Sequence, residues 1–390
     1  MSFRKLRLLT AGESHGPAVT AILEGLPAHI PISREKLQQQ MKRRQLGYGR
    51  GARMKIESDE VEVTSGLRFG KTIGSPICLT IRNLDFQNWH EVMNVWDESS
   101  DSKRVVHRPR PGHADLAGGM KYNHSDLRNV LERASARETA ARTAAGSLCK
   151  VLLEHAGIEI ASHVTQIGSV SLPLRSVDWS SIHEIQSSEK LRCVDPLIEQ
   201  QMMQEIDTAQ QTKETLGGTF EVVIRNAPPG LGSHIQWDQK LDGRIAQAIL
   251  SVPAVKAVSI GDAIEQTASP GSAAHDEIYF EKERGFFRKT NHAGGLEGGI
   301  TNGEEIRVTG FMKPLSTLMK PLKSVDIVTK ESQEAVVERS DTCAVPAAGV
   351  VAEAMMAMVL ADSLLEKFAG DTLEELLASL GRYRKQIEAY

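Results

Sequence analysis

The strongest constraint on the fold is a long apolar run near the C-terminus, Val345 to Leu365. The run carries Pro346 at its start and the ionisable residues Glu353 and Asp362, and ionisable residues are unusual in a membrane span. A helix that is apolar on all sides must be surrounded by other protein elements. We therefore predict a buried core helix over Pro346–Phe368, with its proline in the first turn and Gly370 after its end, and no membrane partner.

Further helices are indicated by periodicity and capping residues. Asp126 to about Ala156 has a helical pattern, with Ser125 as its N-cap and Gly157 after its last turn. Its many alanines allow close packing against a neighbour. A polar helix is predicted over Pro196–Lys213, and Asp371 with Glu374 predicts a capping box for a last helix.

Strands are predicted where apolar residues alternate with polar ones or form short runs. Because strands and helices intermix without strict βαβ alternation, we expect an α+β fold or a layered α/β fold with mainly antiparallel sheets. No low-complexity linker divides the chain. The predicted strands include Ser75–Asn83, Gly218–Asn226, Val61–Thr64 and Ile306–Thr309.

Composition narrows the class of protein. Hydrophobic residues make up 41% and charged residues 25% of the chain, as in ordinary globular proteins. The four cysteines are far apart and lack zinc-ligand spacing, which fits a reducing cytosol and predicts no metal site. The N-terminus has basic residues but no apolar core of a signal peptide. We expect a soluble, cytoplasmic protein.

Basic residues are concentrated although the net charge is −4, from 46 Lys and Arg against 50 Asp and Glu. That balance argues against a nucleic-acid coat. Three clusters cover Lys42–Lys55, Lys103–His113 and Arg133–Arg142. Arg133 and Arg137 stand at i,i+4 of the predicted helix, where like charges repel, so we expect an anion between them. If the three clusters meet in one pocket, they would bind a small molecule with several negative charges. The alternative is that each cluster is a solvent-exposed charged surface.

One glycine-rich pattern lies in the first basic cluster. Gly47-x-Gly49-x-Gly51 allows the backbone to approach an anion closely. It follows no convincing strand and precedes no clear helix, and the sequence contains no Walker A motif. A Rossmann or P-loop nucleotide site is therefore not expected.

Two histidines are candidates for proton transfer. His15 and His113 lie in Gly- and Pro-containing turns, and His113 follows Arg108 and Arg110, a setting that favours acid–base chemistry over metal coordination; the alternative is a structural or exposed histidine. Asp341 precedes the predicted core helix, where its pattern is compatible with an N-terminal cap or a salt bridge. Asn291–Gly299 permits close approach of a flat or phosphorylated ligand, and Lys313–Thr317 offers Lys and hydroxyl donors to a phosphate, although either is also compatible with an ordinary turn.

Together the motifs resemble the chorismate synthase family. They occur in the family's order between about residues 6 and 367, while Leu174–Gln211 carries no recognised motif. Ser316 and Thr342 depart from the commoner family residues. The motifs are Ala11-Gly-Glu-Ser-His-Gly-Pro17, Arg43-Arg-Gln-x-Gly-Tyr-Gly-Arg-Gly51, Arg108-Pro-Arg-Pro-Gly-His-Ala-Asp115, Glu132-Arg-Ala-Ser-Ala-Arg-Glu-Thr139, Asn291-His-Ala-Gly-Gly through Gly299, Lys313-Pro and Glu338-Arg-Ser-Asp341.

The resemblance implies a β-α-β sandwich, a single domain over 1–390, and assembly as a homotetramer. It also implies conversion of 5-enolpyruvylshikimate 3-phosphate to chorismate. This reaction is a 1,4-anti elimination of phosphate and the C6 proton that needs reduced FMN without net redox change. NADPH would be an indirect reductant, and an external flavin reductase is the expected partner.

Site roles follow from the same resemblance. His15 is expected near the departing phosphate, His113 at the reduced flavin, and Asp341 at flavin N5. The implied substrate contacts are Ser14, Arg44, Arg50, Arg53, Arg110, Ser135 and Arg137. The implied FMN contacts are Arg133, Ala134, Ser135, Pro253, Ala254, Gly298, Lys313, Pro314, Leu315, Ser316, Thr317 and Arg339, and Arg44 and Arg50 also match positions linked to NADP.

Two other functions remain open at this point. A flavin oxidoreductase would use the same cofactor for net hydride transfer and would consume NAD(P)H without releasing phosphate. An RNA-binding protein would use the arginine clusters, but aromatic residues make up only 5% of the chain, and single-strand readers need stacking rings.

Overall fold

The computed structural model describes residues 5–51, 58–97, 104–173, 176–338 and 340–390. Short 3₁₀ turns cover Leu84–Asn88, Ala136–Glu138, Ile185–Ser187 and Trp237–Gln239. The α-helices are α1 (Arg34–Gln45), α2 (Asp115–Tyr122), α3 (Arg128–Arg133), α4 (Thr139–His155), α5 (Trp179–Glu184), α6 (Pro196–Gln211), α7 (Leu241–Leu250), α8 (Ala263–Gln266), α9 (Gly271–Ala274), α10 (Val345–Lys367) and α11 (Leu373–Glu388). The strands are β1 (Arg7–Ala11), β2 (Ala18–Glu24), β3 (Val61–Ser65), β4 (Leu67–Arg68), β5 (Lys71–Thr72), β6 (Ile77–Arg82), β7 (Glu159–Ile167), β8 (Val170–Ser171), β9 (Gly218–Arg225), β10 (Val255–Ile260), β11 (Ile278–Glu281), β12 (Gly285–Arg288), β13 (Leu296–Glu297), β14 (Ile300–Thr301), β15 (Ile306–Met312), β16 (Lys323–Val325) and β17 (Ser332–Glu334).

Two antiparallel sheets form the framework. One has the strand order β1-β2-β6-β3 and the other the order β10-β15-β9-β7-β8. The pairs β4-β5, β11-β12, β13-β14 and β16-β17 form small hairpins. The four predicted strands are confirmed as β6, β9, β3 and β15, and the mixed α/β class with antiparallel sheets is confirmed as well.

Helices α4 and α10 contact each other and connect the two sheets. Helix α4 packs against β2 and β6, while α10 packs against β7 and β9. One continuous apolar core runs through these contacts, from Leu6 to Leu380. The prediction of a buried core helix is confirmed. Helix α10 is long and apolar enough to cross a membrane, but its most apolar stretch of 18 residues is 100% buried inside the protein.

The two buried acidic residues of α10, Glu353 and Asp362, have polar partners inside the core. Glu353 accepts from Arg43 at 2.8 Å and from Lys150 at 2.7 Å. Burial alone would raise the pKa of Glu353, but these two cations hold it well below its ordinary value. Asp362 accepts the backbone N–H groups of Lys5 and Leu6 at 2.8 Å, which fixes the start of the described chain against α10.

The predicted helix from Asp126 to Ala156 is wrong as one continuous element. It is divided into α3, the 3₁₀ turn Ala136–Glu138 and α4. Ser135 is the cause, because its backbone is extended (φ −65°, ψ 144°) and its hydroxyl accepts the N–H of Arg137. Ser125 is not the N-cap either, since α3 begins after Leu127 and Asp126 accepts the N–H of Arg128.

The predicted capping box lies one residue later than expected. The Thr372 hydroxyl accepts the backbone N–H of Glu375, and the Glu375 carboxylate accepts the backbone N–H of Thr372. Asp371 precedes this N-cap, and its backbone carbonyl accepts the N–H of Ala28 at 2.8 Å. The last helix itself, α11, is confirmed, as is the helix predicted from Pro196, which ends at Gln211.

Candidate active site

His15 lies in the turn between β1 and β2 and is held by one carboxylate. Its backbone N–H donates to Glu132 Oε2 at 2.8 Å, and its Nδ1 lies 2.9 Å from both oxygens of the same carboxylate. The backbone N–H of Ser14 donates to the Glu132 carbonyl at 3.0 Å, and Ser135 Oγ donates to Ser14 Oγ at 3.0 Å. The turn therefore brings Ser14, His15 and Ser135 together.

The electrostatics of this pair set the protonation of one ring nitrogen. Burial would raise the pKa of Glu132, but hydrogen bonds from His15 and the charge of Arg128 lower it. Because an ionised carboxylate only accepts hydrogen bonds, Nδ1 of His15 carries a proton. The ring therefore has Nε2 left for proton exchange with a ligand.

Asp59 holds two arginines from different clusters. It forms ion pairs with Arg44 and Arg137, and it is fully buried. Burial would raise the pKa of Asp59, but the two guanidinium charges lower it. Arg137 Nε also donates to Asn83 Oδ1 at 2.7 Å, and Asn83 Nδ2 donates to the Gly16 carbonyl at 2.7 Å. Asn83 thus ties this arginine pair to the turn that carries His15.

Arg50 and Asp341 close the same group. Arg50 Nη1 lies 2.8 Å from Asp341 Oδ2, and Asp341 Oδ1 accepts the N–H of Gly51 at 2.6 Å. Burial lowers the pKa of Arg50. The charge of Asp341 opposes this shift, whereas the like charge of nearby Arg44 lowers the pKa further. Of the two alternatives for Asp341, the salt bridge is the one that the structure shows, since α10 has no side-chain N-cap.

Glycine is required at the turn that brings Arg50 here. Gly49 has φ 84°, a left-handed conformation that disfavours a side chain. A Cβ on Gly51 would lie 2.9 Å from the Ser340 carbonyl oxygen. These glycines let the chain pass close to the segment of Asp341.

Arg110 and His113 form a second group around Asp115. His113 Nδ1 lies 2.6 Å from Asp115 Oδ1, and Arg110 Nε lies 2.8 Å from Asp115 Oδ2. Burial would raise the pKa of Asp115, but the bonds from His113 and Arg110 hold it far below its ordinary value. Arg110 Nη1 donates to Thr317 Oγ1 at 2.8 Å, and Lys313 Nζ donates to the Gly112 carbonyl at 2.6 Å. The predicted Lys313–Thr317 segment thus lies beside His113.

The idea that all three arginine clusters meet in one pocket is only partly right. Arg44, Arg50 and Arg137 converge around Asp59 and Asp341, whereas Arg110 belongs to the Asp115 group. Arg43 turns inward to Glu353. The two groups are joined by the segment 336–338, where Val336 N–H donates to the Arg108 carbonyl and Glu338 contacts Arg128.

The expected anion between Arg133 and Arg137 is also wrong. The two residues lie on different elements because the helix is interrupted at Ser135. Arg133 donates to the carbonyls of Thr10 and Gly12 at 3.1 Å, whereas Arg137 pairs with Asp59. Arg53 and Arg339 lie outside the described residues.

The remaining cofactor candidates are only partly brought together. The N–H of Lys313 donates to the carbonyl of Ala254 at 3.0 Å, so Pro253 and Ala254 adjoin the Lys313–Thr317 segment. The Leu315 carbonyl accepts from Thr215, and a cavity of about 10 Å³ borders Ser316 and Arg110. Gly298 lies apart in the β13–β14 turn, and among the described residues no hydrogen bond joins it to either group. A cavity of about 80 Å³ between α1 and α4 borders none of the predicted site residues.

Sequence reasoning missed three side chains that organise the site. Asp59 and Asn83 were not singled out as site residues, and nothing in their spacing marks them. Trp89 stacks on His15 with ring centroids 3.9 Å apart and an interplanar angle of 22°. The one sequence property that could have drawn attention to Trp89 is that tryptophan is rare here, with four in the chain.

Comparisons with known proteins identify the family of the chain. The chorismate synthase family model matches residues 6–365. Chorismate synthases of Geotalea uraniireducens and Aquifex aeolicus are 51% and 52% identical, over 98% and 100% of this chain and 100% of each relative. A crystal structure of chorismate synthase is 43% identical, covers 100% of both chains and superposes with a TM-score of 0.81. The chain therefore belongs to the chorismate synthase family.

Proposed function

We propose that this protein converts 5-enolpyruvylshikimate 3-phosphate to chorismate by 1,4-anti elimination of phosphate and the C6 proton. The observation that carries the proposal is the convergence of Arg44, Arg50 and Arg137 beside the His15–Glu132 pair. This is a phosphate-eliminating lyase reaction, and it needs both an anion site and a proton-transfer group.

The arginines supply the anion site. Three guanidinium groups lie around the carboxylates of Asp59 and Asp341, and this concentration of cationic side chains suits an anionic ligand. Arginine binds carboxylate or phosphate through two parallel hydrogen bonds. The substrate carries two carboxylates and one phosphate, which this charge suits. Ser14 and Ser135 add hydroxyl groups to the site. We propose that Arg53 and Arg110 also contact the substrate.

His15 supplies the proton at the leaving group. Its Nδ1 proton is held by Glu132, so its Nε2 would exchange a proton with the departing phosphate. The carboxylate behind the ring holds the Nδ1 edge and so orients Nε2, as in catalytic sites where a carboxylate orients a histidine. The side chain is 12% exposed, so a bound substrate would exclude most of the water around it.

The residues around Lys313 fit a flavin mononucleotide. The donor set combines the Lys313 ammonium, the Arg110 guanidinium and the Thr317 hydroxyl, which suits a phosphate and a ribityl chain. A Cβ on Gly112 would lie 3.2 Å from Lys313 Nζ, so glycine keeps this approach open. When bound, reduced FMN would supply transient electron density as phosphate leaves, without net redox change.

The residues that would hold the flavin extend over both groups. We propose that His113, oriented through Nδ1 by Asp115, would protonate or polarise the reduced flavin, and that Asp341 would tune or deprotonate flavin N5. Arg44 and Arg50 would also contact NADPH as an indirect reductant. The proposed flavin contacts are Arg133, Ala134, Ser135, Pro253, Ala254, Gly298, Lys313, Pro314, Leu315, Ser316, Thr317 and Arg339.

Architecture, assembly and location complete the proposal. The packing of α4 on one sheet and α10 on the other supports a β-α-β sandwich, and the continuous core supports one domain over 1–390. We propose a homotetramer in the cytoplasm that receives reduced FMN from an external flavin reductase.

The test is an anaerobic assay with chemically reduced FMN and 5-enolpyruvylshikimate 3-phosphate. Equimolar phosphate and chorismate, with the flavin recovered in its reduced form, are expected. Absence of phosphate release would refute the proposal. Steady NAD(P)H consumption without phosphate would favour a flavin oxidoreductase instead, and salt-sensitive retention of RNA would favour RNA binding.

A further inference from the structure

The indole of Trp89 covers one face of the His15 imidazole. The two rings are stacked, with centroids 3.9 Å apart and planes 22° from parallel. Trp89 follows the 3₁₀ turn Leu84–Asn88 and is itself fixed: its Nε1 donates to Asp85 Oδ2 at 3.3 Å, and its backbone N–H donates to the Phe86 carbonyl at 2.8 Å. The covering ring is therefore held by its own edge and backbone as well as by its contact with His15.

Two arginines hold the same indole. The guanidinium carbons of Arg104 and Arg128 lie 4.1 Å and 5.0 Å from the ring centroid, at cation–π distance. Arg128 Nη1 also lies 3.1 Å from Glu132 Oε1, and Arg104 Nη1 donates to the Asn88 carbonyl at 2.9 Å. The contacts form a closed circuit from His15 through Glu132 and Arg128 to Trp89 and back to His15.

The two restraints on His15 act in different directions. Glu132 binds the edge of the ring at Nδ1, and hydrogen bonds to one edge leave the ring able to tilt about that contact. A stacked indole opposes the tilt, because it removes free space on one face. Together they fix the direction in which Nε2 points.

We propose that Trp89 is a positioning residue that acts through His15. This inference rests on the proposed function, since it requires proton exchange at His15 Nε2. Orientation of a reacting group matters steeply, and a displacement of about 1 Å can cost about 100-fold in rate. Trp89 has no separate chemical step in this proposal, so its contribution must vanish when the imidazole is absent.

The test begins with substitutions of Trp89 in the full chain, assayed anaerobically with reduced FMN. Trp89→Leu and Trp89→Met are expected to lower kcat ~30-fold with KM within ~3-fold, and Trp89→Phe, which keeps a flat ring, is expected to stay within ~5-fold of wild type. Trp237→Phe is the matched control, because Trp237 is 82% exposed and lies outside the site.

A double-mutant cycle separates positioning from a general structural effect. In a His15→Ala background, Trp89→Leu or Trp89→Met is expected to change kcat by less than ~2-fold. The same loss in both backgrounds would overturn the proposal, as would wild-type kcat for both variants. If Trp89→Leu does not fold, Trp89→Met fills the space without a ring and gives the same comparison.

A spectroscopic readout tests the stacking itself. The emission of Trp89 is obtained by subtracting the Trp89→Phe spectrum from that of wild type, and it should rise in His15→Ala because a stacked imidazole quenches indole fluorescence. Unchanged emission would contradict the contact. If the wild-type protein releases no phosphate, both the proposed function and this role of Trp89 are refuted. If the wild-type protein turns over but the Trp89 substitutions cause the same loss with and without His15, only the positioning role is refuted.

Discussion

His15 Nδ1 lies 2.9 Å from both carboxylate oxygens of Glu132, and the backbone N–H of His15 donates to Glu132 Oε2 at 2.8 Å. One buried carboxylate thus fixes both the main chain and the ring of the proposed proton-transfer residue. The same carboxylate accepts from Arg128 at 3.1 Å, which balances its charge. The main chain and the Nδ1 edge of His15 are therefore held by the same side chain.

Replacing that carboxylate should impair turnover more than binding. Glu132→Gln keeps the shape but replaces a carboxylate oxygen that accepts from His15 Nδ1 by an amide, so kcat should fall ~100-fold with a smaller change in KM. Glu338→Gln is the matched control, because Glu338 also contacts Arg128, at 3.2 Å, and has no bond to His15 among the described residues. The measurement is anaerobic phosphate release, and equal losses in the two variants would contradict the role of Glu132.

The other proposed proton-transfer residues can be tested separately. His113→Ala and Asp341→Ala should fold and still bind flavin but turn over at least ~100-fold more slowly, the scale of a lost proton-transfer group. Flavin titration measures binding, and anaerobic chorismate formation measures turnover. Wild-type rates in both variants would remove these roles and leave the family assignment intact.

The sequence predicted the site best where a motif is local. His15 with Ser14, Arg110 with His113, and Gly49 with Gly51 lie within a few residues of each other, and their turns are set by glycine and proline. The interruption at Ser135 was missed because helical periodicity continues across it. The serine side chain competes with the helix by accepting a backbone N–H, and periodicity does not report this.

Long-range partners could not be predicted from one sequence. Asp59 meets Arg137, and Trp89 meets His15, only after the first sheet and α4 have packed. Neither pair has a characteristic spacing, because the sequence separation reflects the intervening chain and not the contact. The burial of Glu353 was likewise visible only as a charge in an apolar run, without its partners Arg43 and Lys150.

Asp59 should make the stability of the protein depend on pH. Its pKa is lower in the folded protein than the ordinary value, so its contribution is present above about pH 4 and is lost as the pH falls through the folded-state pKa. Asp59→Asn leaves two buried guanidinium groups without their shared counter-charge and should lower the free energy of unfolding by ~3 kcal/mol at pH 7.

Urea unfolding of wild type and Asp59→Asn at pH 7 and at pH 3 measures this effect. The difference between the two proteins should shrink at the lower pH. Glu62→Gln is the control, since Glu62 pairs with Arg82 at 3.4 Å on the surface and should contribute less than ~1 kcal/mol. A difference that is the same at both pH values would contradict the assignment.

The contact between α4 and α10 depends on a glycine. A Cβ on Gly146 would lie 2.5 Å from both the Cβ and the carbonyl oxygen of Ala354, so Gly146→Ala must push the two central helices apart. Overpacking of this kind costs ~1–3 kcal/mol. Gly381→Ala in α11 is the matched control, because nothing lies within 4 Å of its added Cβ and alanine favours a helix by ~1 kcal/mol over glycine. Thermal and urea unfolding should therefore show opposite signs for the two substitutions, and equal stabilisation by both would contradict the close packing of α4 on α10.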